Sequence, residues 1–239
     1  MDLVIYSDEN PEEGETVFGN SFETFQGGKG ANQAVAISRL GGEVTFIGRV
    51  GNDFFGEQLK ESLVNEGVNI DLLYEHEGPS GVAFINVFEA TSQNQIIVVS
   101  GANSQVTSDQ VSDELLKSVQ ILVSQLESPT DEIEKVFLRA KEHGCFRILN
   151  TAPSIEINNE LISLTDLFIM NESELENYSK TKIQANDSTS ILKAIEHLSL
   201  RDDQSVVVTL GSHGVFVHSK DSQIFVEGHK VEAVDSTGS

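Results

Sequence analysis

Apolar and polar positions follow several different periods in the first hundred residues of the chain. Apolar residues at helical spacing predict helices over residues 30–40 and 53–65, with a strand over residues 44–50 between them. Two apolar runs, residues 82–88 and 95–99, flank a polar turn and predict a pair of strands. This part of the chain is therefore predicted to combine helices with a strand pair.

From residue 119 onwards, the predicted strands and helices alternate. The predicted strands span residues 119–126, 146–150, 167–170 and 205–210, the helices span residues 130–143, 172–178 and 188–198, and a hairpin joins residues 215–218 to 223–226. This alternation predicts a parallel sheet with helices on both faces. Ligands of such sheets bind beyond the carboxyl ends of the strands. The first candidates for a binding site are therefore the polar residues that follow strands, namely Glu127, Asn150, Asn171 and the turn 209–214.

Composition narrows the possible partners. The chain has 239 residues, a length that suits one large α/β domain or a domain with a small lobe. Its formal net charge is −23, so its surface repels nucleic acid and anionic membranes, and neither is an expected partner. No apolar run approaches the roughly 20 residues of a membrane-spanning helix. Cys145 is the single cysteine, which excludes an internal disulfide and suits a reducing compartment.

A glycine-rich segment opens the first predicted helix. It consists of Gly27, Gly28, Lys29, Gly30, Ala31 and Asn32. Glycines allow a backbone to approach a ligand closely, and a helix N-terminus offers free N–H groups. Lys29 and Asn32 add polar groups that suit sugar hydroxyls. The alternative is a tight turn into a helix of small residues, and the spacing excludes the phosphate loop of P-loop enzymes.

Two carboxylates near predicted strand ends have both a binding and a structural interpretation. Glu127 is placed to accept hydrogen bonds from hydroxyl groups, or else it is a carboxylate that favours a helix start. Asn171 and Glu174 lie three residues apart and share a helix face. Their oxygens suit Mg²⁺, held directly or through water. The alternative is a capping box at the start of the helix.

The turn after the strand 205–210 is a further candidate. It consists of Thr209, Leu210, Gly211, Ser212, His213 and Gly214. Its amide groups are placed to face phosphate oxygens, or else it is an ordinary turn before a hairpin. The chain ends with a Gly-Ser pair directly after a strand-like segment, and we expect this ending to interrupt a domain.

The order and spacing of these segments together resemble the ribokinase branch of the PfkB sugar-kinase family over the whole chain. The matching segments are residues 2–4, 14–17, 27–33, 48–56, 101–103, 125–129, 171–174, 209–214 and 235–238. The resemblance implies a Rossmann-like three-layer α/β sandwich with a mostly parallel central sheet and a small β-sheet lid. It implies one kinase domain over residues 1–239, with a lid formed by residues 3–27 and 81–100 that joins two copies in a homodimer.

The resemblance also implies a role for each candidate residue. The sugar-binding residues are expected to be Asp2, Gly27, Gly28, Lys29, Gly30, Ala31, Asn32 and Glu127. The ATP-binding residues are expected to be Asn171 and the six residues of the turn 209–214. Glu174 is expected to act on Mg²⁺ through water, and Asp235 and Thr237 are expected to bind a monovalent cation, usually potassium.

The implied reaction is ATP-dependent phosphorylation of the 5-hydroxyl of D-ribose, by a protein of the cytoplasm or, in a eukaryote, also of the nucleus. Deoxyribose or another sugar is the alternative substrate, and a non-catalytic truncated binding protein is the alternative class. The family's first strand and an asparagine two residues before the Asp2 position are absent, and the general-base aspartate of the family's signature would follow Ser239. The resemblance therefore implies that residues 1–239 contain no catalytic residue, transfer little phosphate and fold poorly alone.

Overall fold

The structure is a computed structural model that describes residues 1–88 and 93–229. The chain divides into two compact units, the first spanning Met1–Val106 and the second beginning at Thr107. The single domain predicted over residues 1–239 remains a prediction. None of the helices within the described ranges combines the length and the apolar character that a membrane span requires.

The first unit contains two sheets and two helices. Its strands are β1 (Asp2–Ser7), β2 (Ser21–Phe25), β3 (Thr45–Gly51), β4 (Asn69–His76), β5 (Val82–Phe88) and β6 (Gln93–Val99), and its helices are α1 (Lys29–Arg39) and α2 (Phe54–Asn65). Strands β3 and β4 pair in parallel. Their apolar side chains pack with those of the two helices around a small core of Ala34, Val50, Leu63, Val68 and Leu73.

The other four strands form one sheet in the order β2-β1-β5-β6, built from the segments that the resemblance assigns to a lid. Residues paired across neighbouring strands point to the same face of a sheet. The pairs Ile5↔Phe22 and Phe84↔Ile97 place four exposed apolar side chains on one face. Asp2 precedes Leu3, the residue that pairs with Phe84, so the Asp2 side chain lies on the opposite face.

Asp53 joins the start of α2 to the segment before β5. Its carboxylate accepts hydrogen bonds from the Gly56 amide at 2.8 Å, the Ser80 amide at 2.7 Å and the Ser80 hydroxyl at 2.7 Å. The Ser80 hydroxyl in turn accepts from the Gly51 amide at 2.9 Å. A side chain at Gly51 or Gly56 would collide with backbone atoms, because an added methyl group would lie 2.3 Å from Ser80 N and 2.1 Å from Gly51 O, respectively. These contacts account for Gly51, Asp53 and Gly56 in the motif over residues 48–56.

Replacing Asp53 by asparagine is expected to lower the free energy of unfolding by about 2 kcal/mol at pH 7, because the NH₂ group that replaces one carboxylate oxygen leaves the buried Ser80 amide without an acceptor. Burial raises the pKa of the Asp53 carboxyl, but the hydrogen bonds from Ser80 and Gly56 outweigh it and hold the pKa below its usual value. A lowered pKa stabilises the fold above the unfolded-state value of about 3.9, and this stabilisation is lost as pH falls through the folded-state value. Urea unfolding of both proteins at several pH values should therefore show their difference shrinking below about pH 4. A difference that stays constant down to the acid limit would contradict this account.

The second unit contains one large sheet flanked by helices. Its strands are β7 (Ile121–Ser124), β8 (Phe146–Asn150), β9 (Leu167–Asn171), β10 (Ser205–Thr209), β11 (Val215–Ser219) and β12 (Ser222–Val226), and its helices are α3 (Asp113–Ser118), α4 (Thr130–Glu142), α5 (Asn159–Leu164), α6 (Glu172–Ser179) and α7 (Ser188–Glu196). The strand order is β12-β11-β10-β9-β8-β7. Strands β7 to β10 are parallel, and β11 and β12 are antiparallel additions at one side.

The core of the second unit is made by side chains of the central strands and of helices α4 to α7. Leu149 of β8 and Val206 of β10 are fully enclosed, as are Phe137 of α4 and Ile191 of α7. The predicted α/β architecture with a mostly parallel sheet and a small additional sheet is confirmed. Because β7 to β10 run in parallel, their carboxyl ends lie at one edge of the sheet, where the sequence predicts a ligand site.

Candidate functional site

In the first unit, the glycine-rich segment and the start of β1 lie side by side. Asp2 pairs with Phe25 at the end of β2, and the chain then continues into Gly27. A methyl group added at Gly27 would lie 2.2 Å from Asp2 Oδ2, so the carboxylate packs directly against the glycine Cα. Burial raises the pKa of the Asp2 carboxyl, while the positive charges of the chain's amino group and of Lys29 oppose this shift. Asp2 is thus a partly desolvated carboxylate whose charged form gains from any hydroxyl group that binds to it.

The rest of the segment opens α1, as the sequence predicts. Gly28 is the N-cap with φ 99°, a conformation that favours glycine, and its carbonyl accepts from the Asn32 amide at 2.9 Å. Lys29 and Asn32 are exposed in the first turn of the helix, whereas Gly30 is partly buried and Ala31 packs against the small core. The segment therefore presents polar side chains and a helix N-terminus next to the Asp2 carboxylate, an arrangement that suits a polyhydroxylated ligand.

In the second unit, three predicted site residues come together at the carboxyl edge of the sheet. Asn171 ends β9, Thr209 ends β10, and the two residues are directly paired, so their Cα atoms lie about 4.8 Å apart. The segment after β7, which carries Glu127, runs beside the segment after β8, since the Leu126 amide donates to Ala152 O at 2.9 Å. Glu127 is partly buried there. Asn171, Thr209 and Glu127 therefore all follow or end strands at the carboxyl edge of this sheet, and their role as ligand-binding residues remains a prediction.

Asn171 and Glu174 form the capping box that the sequence left open as an alternative. Asn171 Oδ1 accepts from the Glu174 amide at 2.8 Å, and Glu174 Oε2 accepts from the Asn171 amide at 2.9 Å. Asn171 Nδ2 also donates to Glu174 Oε1 at 3.1 Å. The Glu174 residue is 6% exposed. The pair thus holds a buried carboxylate at the start of α6, close to the sheet edge.

The capping box already uses most of the acceptor positions of the Glu174 carboxylate. A carboxylate offers about four lone-pair positions, and the hydrogen bonds of Glu174 occupy most of them. Within residues 1–88 and 93–229, no three His, Cys, Asp or Glu side chains gather into a group that could hold a metal ion directly. The oxygen chemistry of Asn171 and Glu174 therefore fits an outer-sphere role towards Mg²⁺, and that role remains a prediction. Asp235 and Thr237, the predicted potassium ligands, lie outside the described residues.

The turn that follows β10 uses several of its own amides. Leu210 N donates to Gly214 O at 2.8 Å, His213 N donates to Leu210 O at 3.0 Å, and Gly214 N donates to Gly211 O at 3.1 Å. These three amides behave as the ordinary-turn alternative expects. The Leu210 side chain is buried in the core, whereas Thr209, Gly211, Ser212 and His213 are exposed. Their predicted contact with ATP therefore depends on the remaining polar groups of the turn, and it remains a prediction.

One residue at this edge was missed by the sequence-based predictions. Thr151 follows β8, is fully buried, and places its hydroxyl 3.4 Å from Glu174 Oε2. Its neighbour Asn150 donates from Nδ2 to Ile169 O at 3.0 Å. A threonine after a strand has no motif of its own, and only the pairing of β8 with β9 brings it to the capping box.

Comparisons with known proteins agree with the fold and with the order of the motifs. The profile of the pfkB family of carbohydrate kinases matches residues 1–239. The chain is 36% identical to a ribokinase of Haemophilus influenzae over 227 residues, which cover 94% of this chain and 73% of that protein. It is 33% identical to a deoxyribokinase of Salmonella typhi over 244 aligned positions, which cover 100% of this chain and 78% of that protein.

A solved structure extends the comparison to three dimensions. The structure of Arabidopsis thaliana ribokinase complexed with ribose and ATP superimposes with a TM-score of 0.87 at 29% identity, over 99% of this chain and 78% of that one. The fold, the motif order and the family profile lead to the same conclusion: the chain belongs to the pfkB family of carbohydrate kinases.

Proposed function

We propose that this protein catalyses ATP-dependent phosphorylation of the 5-hydroxyl group of D-ribose. The observation that carries the proposal is the partly desolvated Asp2 carboxylate packed against Gly27 beside Lys29, an acceptor built for hydroxyl groups. Several relatives that share about a third of the sequence are ribokinases, those of Haemophilus influenzae and Schizosaccharomyces pombe among them, and this similarity supports ribose as the substrate.

Deoxyribose is the second candidate, because a deoxyribokinase is 33% identical to the chain. The two sugars differ by one hydroxyl group. A site built to hydrogen-bond a hydroxyl rejects the analogue that lacks it far better than an apolar pocket rejects an added group. Relative kcat/KM for ribose and 2-deoxyribose therefore separates the two proposals.

The proposed residues act by positioning the reactants and by stabilising charge, which is how most phosphoryl transfer is catalysed. Asp2 and the 27–32 segment bind hydroxyl groups of the sugar, the resemblance alone assigns a sugar contact to Glu127, and Asn171 and the turn 209–214 contact the nucleotide. Mg²⁺, when bound, neutralises charge on the phosphates, and Glu174 orients its water shell. We also propose Asp235 and Thr237 as ligands of a potassium ion. The general base is the aspartate that the resemblance places after Ser239.

The test is an assay of the product of the complete reading frame with Mg·ATP, potassium and a panel of pentoses at equal concentration. We expect ribose 5-phosphate, identified by mass spectrometry, and a higher kcat/KM for ribose than for the other sugars. Formation of no sugar phosphate would overturn the kinase proposal and favour a binding protein, whereas preference for 2-deoxyribose would overturn only the choice of sugar.

We further propose that the four-stranded sheet joins two copies of the chain. On the face opposite to Asp2, the side chains of Ile5, Phe22, Phe84 and Ile97 form an exposed apolar patch, and Ile97 is 67% exposed. A patch of this kind is typical of an interaction surface. The apolar contact in such a dimer must outweigh the repulsion between two copies of a highly acidic chain.

Replacing Ile97 by aspartate is expected to raise the dissociation constant of the dimer at least about 10-fold, because a charge would be buried without a partner. Sedimentation velocity over a range of concentrations measures the change. Ile224→Asp is the matched control, since Ile224 is 50% exposed on a strand of the second unit. Equal effects of the two substitutions, or a wild-type chain that stays monomeric at high concentration, would contradict the proposed interface.

A further inference from the structure

Thr151 links the end of β8 to the capping box at the start of α6. The residue is 0% exposed. Its backbone position is fixed, because Thr151 N donates to Ile169 O at 2.9 Å in the neighbouring strand β9. Its hydroxyl lies 3.4 Å from two possible acceptors, Ile169 O and Glu174 Oε2.

The two acceptors differ in how much they gain from the hydroxyl hydrogen. Ile169 O already accepts from the Thr151 amide and from Asn150 Nδ2 at 3.0 Å. Glu174 is a buried carboxylate, and within the described ranges no Lys, Arg or His forms an ion pair with it. A hydrogen bond to an ionised acceptor is about twice as strong as a neutral one. Because Ile169 O already has two donors, Glu174 Oε2 is the acceptor that gains more from the Thr151 hydroxyl.

With the Thr151 hydroxyl as a donor, only part of the Glu174 carboxylate remains available to accept hydrogen bonds from other groups. Asn171 donates to both Glu174 oxygens, and the Thr151 hydroxyl adds a third donor at Oε2. Of about four lone-pair positions on a carboxylate, one is then left. The three donors come from two residues: Asn171, where β9 ends and α6 begins, and Thr151, directly after β8. That remaining position on Glu174 would accept a hydrogen bond from one water molecule in the hydration shell of a metal ion.

We infer that Thr151 is a positioning residue that orients Glu174, and through it Asn171, towards the hydrated Mg²⁺ of a bound nucleotide. This inference rests on the proposed function of the sheet edge as the nucleotide site. Thr151 itself contacts neither substrate nor metal. The part of the nucleotide affinity that depends on Mg²⁺ should therefore depend on the Thr151 hydroxyl, whereas the metal-independent part should not.

The test compares Thr151→Val, which removes the hydroxyl, with Thr151→Ser, which keeps it and removes the methyl group. Calorimetry on the full chain gives the ATP dissociation constant with Mg²⁺ and with EDTA. The dissociation constant in EDTA divided by that with Mg²⁺ measures how much the metal strengthens ATP binding. We expect this ratio to fall about 10-fold in Thr151→Val, as is typical when a partner of a ligating group is lost. Thr151→Ser is expected to retain the wild-type ratio, and both variants are expected to retain metal-free ATP binding.

Several outcomes would overturn the inference. A wild-type ratio in Thr151→Val, even with a lower Tm, would show that the hydroxyl only stabilises the fold. An equal loss in both variants would assign the effect to packing of the methyl group. The proposed function fails separately: a wild-type protein that binds Mg·ATP but phosphorylates no pentose contradicts the kinase proposal and leaves the role of Thr151 standing.

Discussion

Replacing Asp2 by asparagine is expected to weaken ribose binding about 10- to 100-fold while leaving the protein folded. Asparagine keeps the size of the side chain and one acceptor oxygen, but it removes the negative charge. Hydrogen bonds to a charged group contribute about 1.5–3 kcal/mol, and each 1.4 kcal/mol corresponds to about tenfold in affinity. Calorimetric titration with ribose measures the change.

Stability should respond to the same substitution in the opposite direction. Burial raises the pKa of Asp2, which means that the folded protein disfavours the charged carboxylate in the absence of a ligand. The neutral asparagine removes this cost, so the Tm of the variant is expected to equal or exceed that of the wild type. A residue retained only for folding would show a loss of both affinity and stability.

Glu61→Gln provides the matched control for Asp2→Asn. Glu61 is exposed on α2, and its substitution changes the net charge by the same amount in the same unit. We expect ribose affinity to be unchanged in this control. If Asp2→Asn also binds ribose with wild-type affinity, Asp2 is not the acceptor of the sugar hydroxyls, and the position of the sugar site in the first unit is wrong.

The bounds of several strands and helices could be predicted from the sequence. The strands β5 and β8 begin and end at the predicted residues, and α4 and α6 differ from prediction by a single residue at one end. These elements have strong apolar periodicity and clear end signals, which are local properties. The predicted strand 119–126 is shorter in the structure, Ile121–Ser124, because Leu126 N leaves the ladder and donates to Ala152 O.

The elements that the periodicity missed depend on partners far away in the sequence. Helix α5 has only six residues and an Asn158 cap, and its last carbonyl groups accept from Arg147 and Gln204. Strand β4 alternates the acidic residues Asp71 and Glu75 with the apolar residues Ile70, Leu72 and Tyr74, a signal that the prediction overlooked, and its parallel partner β3 lies on the other side of α2 in the sequence. Short segments of this kind are stabilised mainly by tertiary contacts.

The residues of the candidate site also differ in whether local sequence motifs could predict them. The order of the motifs singled out Asp2, Asn171 and Glu174 as candidates. The spacing of residues 171–174 had two interpretations, a Mg²⁺ site and a capping box, and the structure contains the capping box. Thr151 was not identifiable, because its role arises from the pairing of β8 with β9 rather than from spacing along the chain. Sequence motifs therefore identify the groups that we propose to contact ligands, whereas the residue that we propose to orient them is visible only in the three-dimensional structure.

Arg147 is the clearest case of a residue whose importance depends on such long-range contacts. It lies in β8, is 7% exposed, and forms an ion pair with Asp166 at 2.6 Å. Its guanidinium also donates to Leu164 O and, at 2.9 Å, to Cys145 O, while its amide donates to Asp166 Oδ2 at 2.8 Å. From inside the protein, the side chain thus donates hydrogen bonds to the last carbonyl group of α5 and to Asp166, directly before β9.

Replacing Arg147 by methionine is expected to lower the free energy of unfolding by about 3–5 kcal/mol, because Asp166 and two carbonyl groups lose a buried partner. Arg39→Met is the control: the Arg39 side chain is 67% exposed in its ion pair with Glu66, and exposed pairs of this kind contribute little to stability. Urea unfolding measures both variants. The double variant Arg147→Met/Asp166→Asn tests the cause, since removing both charges should cost less than the sum of the single changes. Equal, small losses for Arg147→Met and Arg39→Met would show that the buried pair adds no more stability than a surface contact.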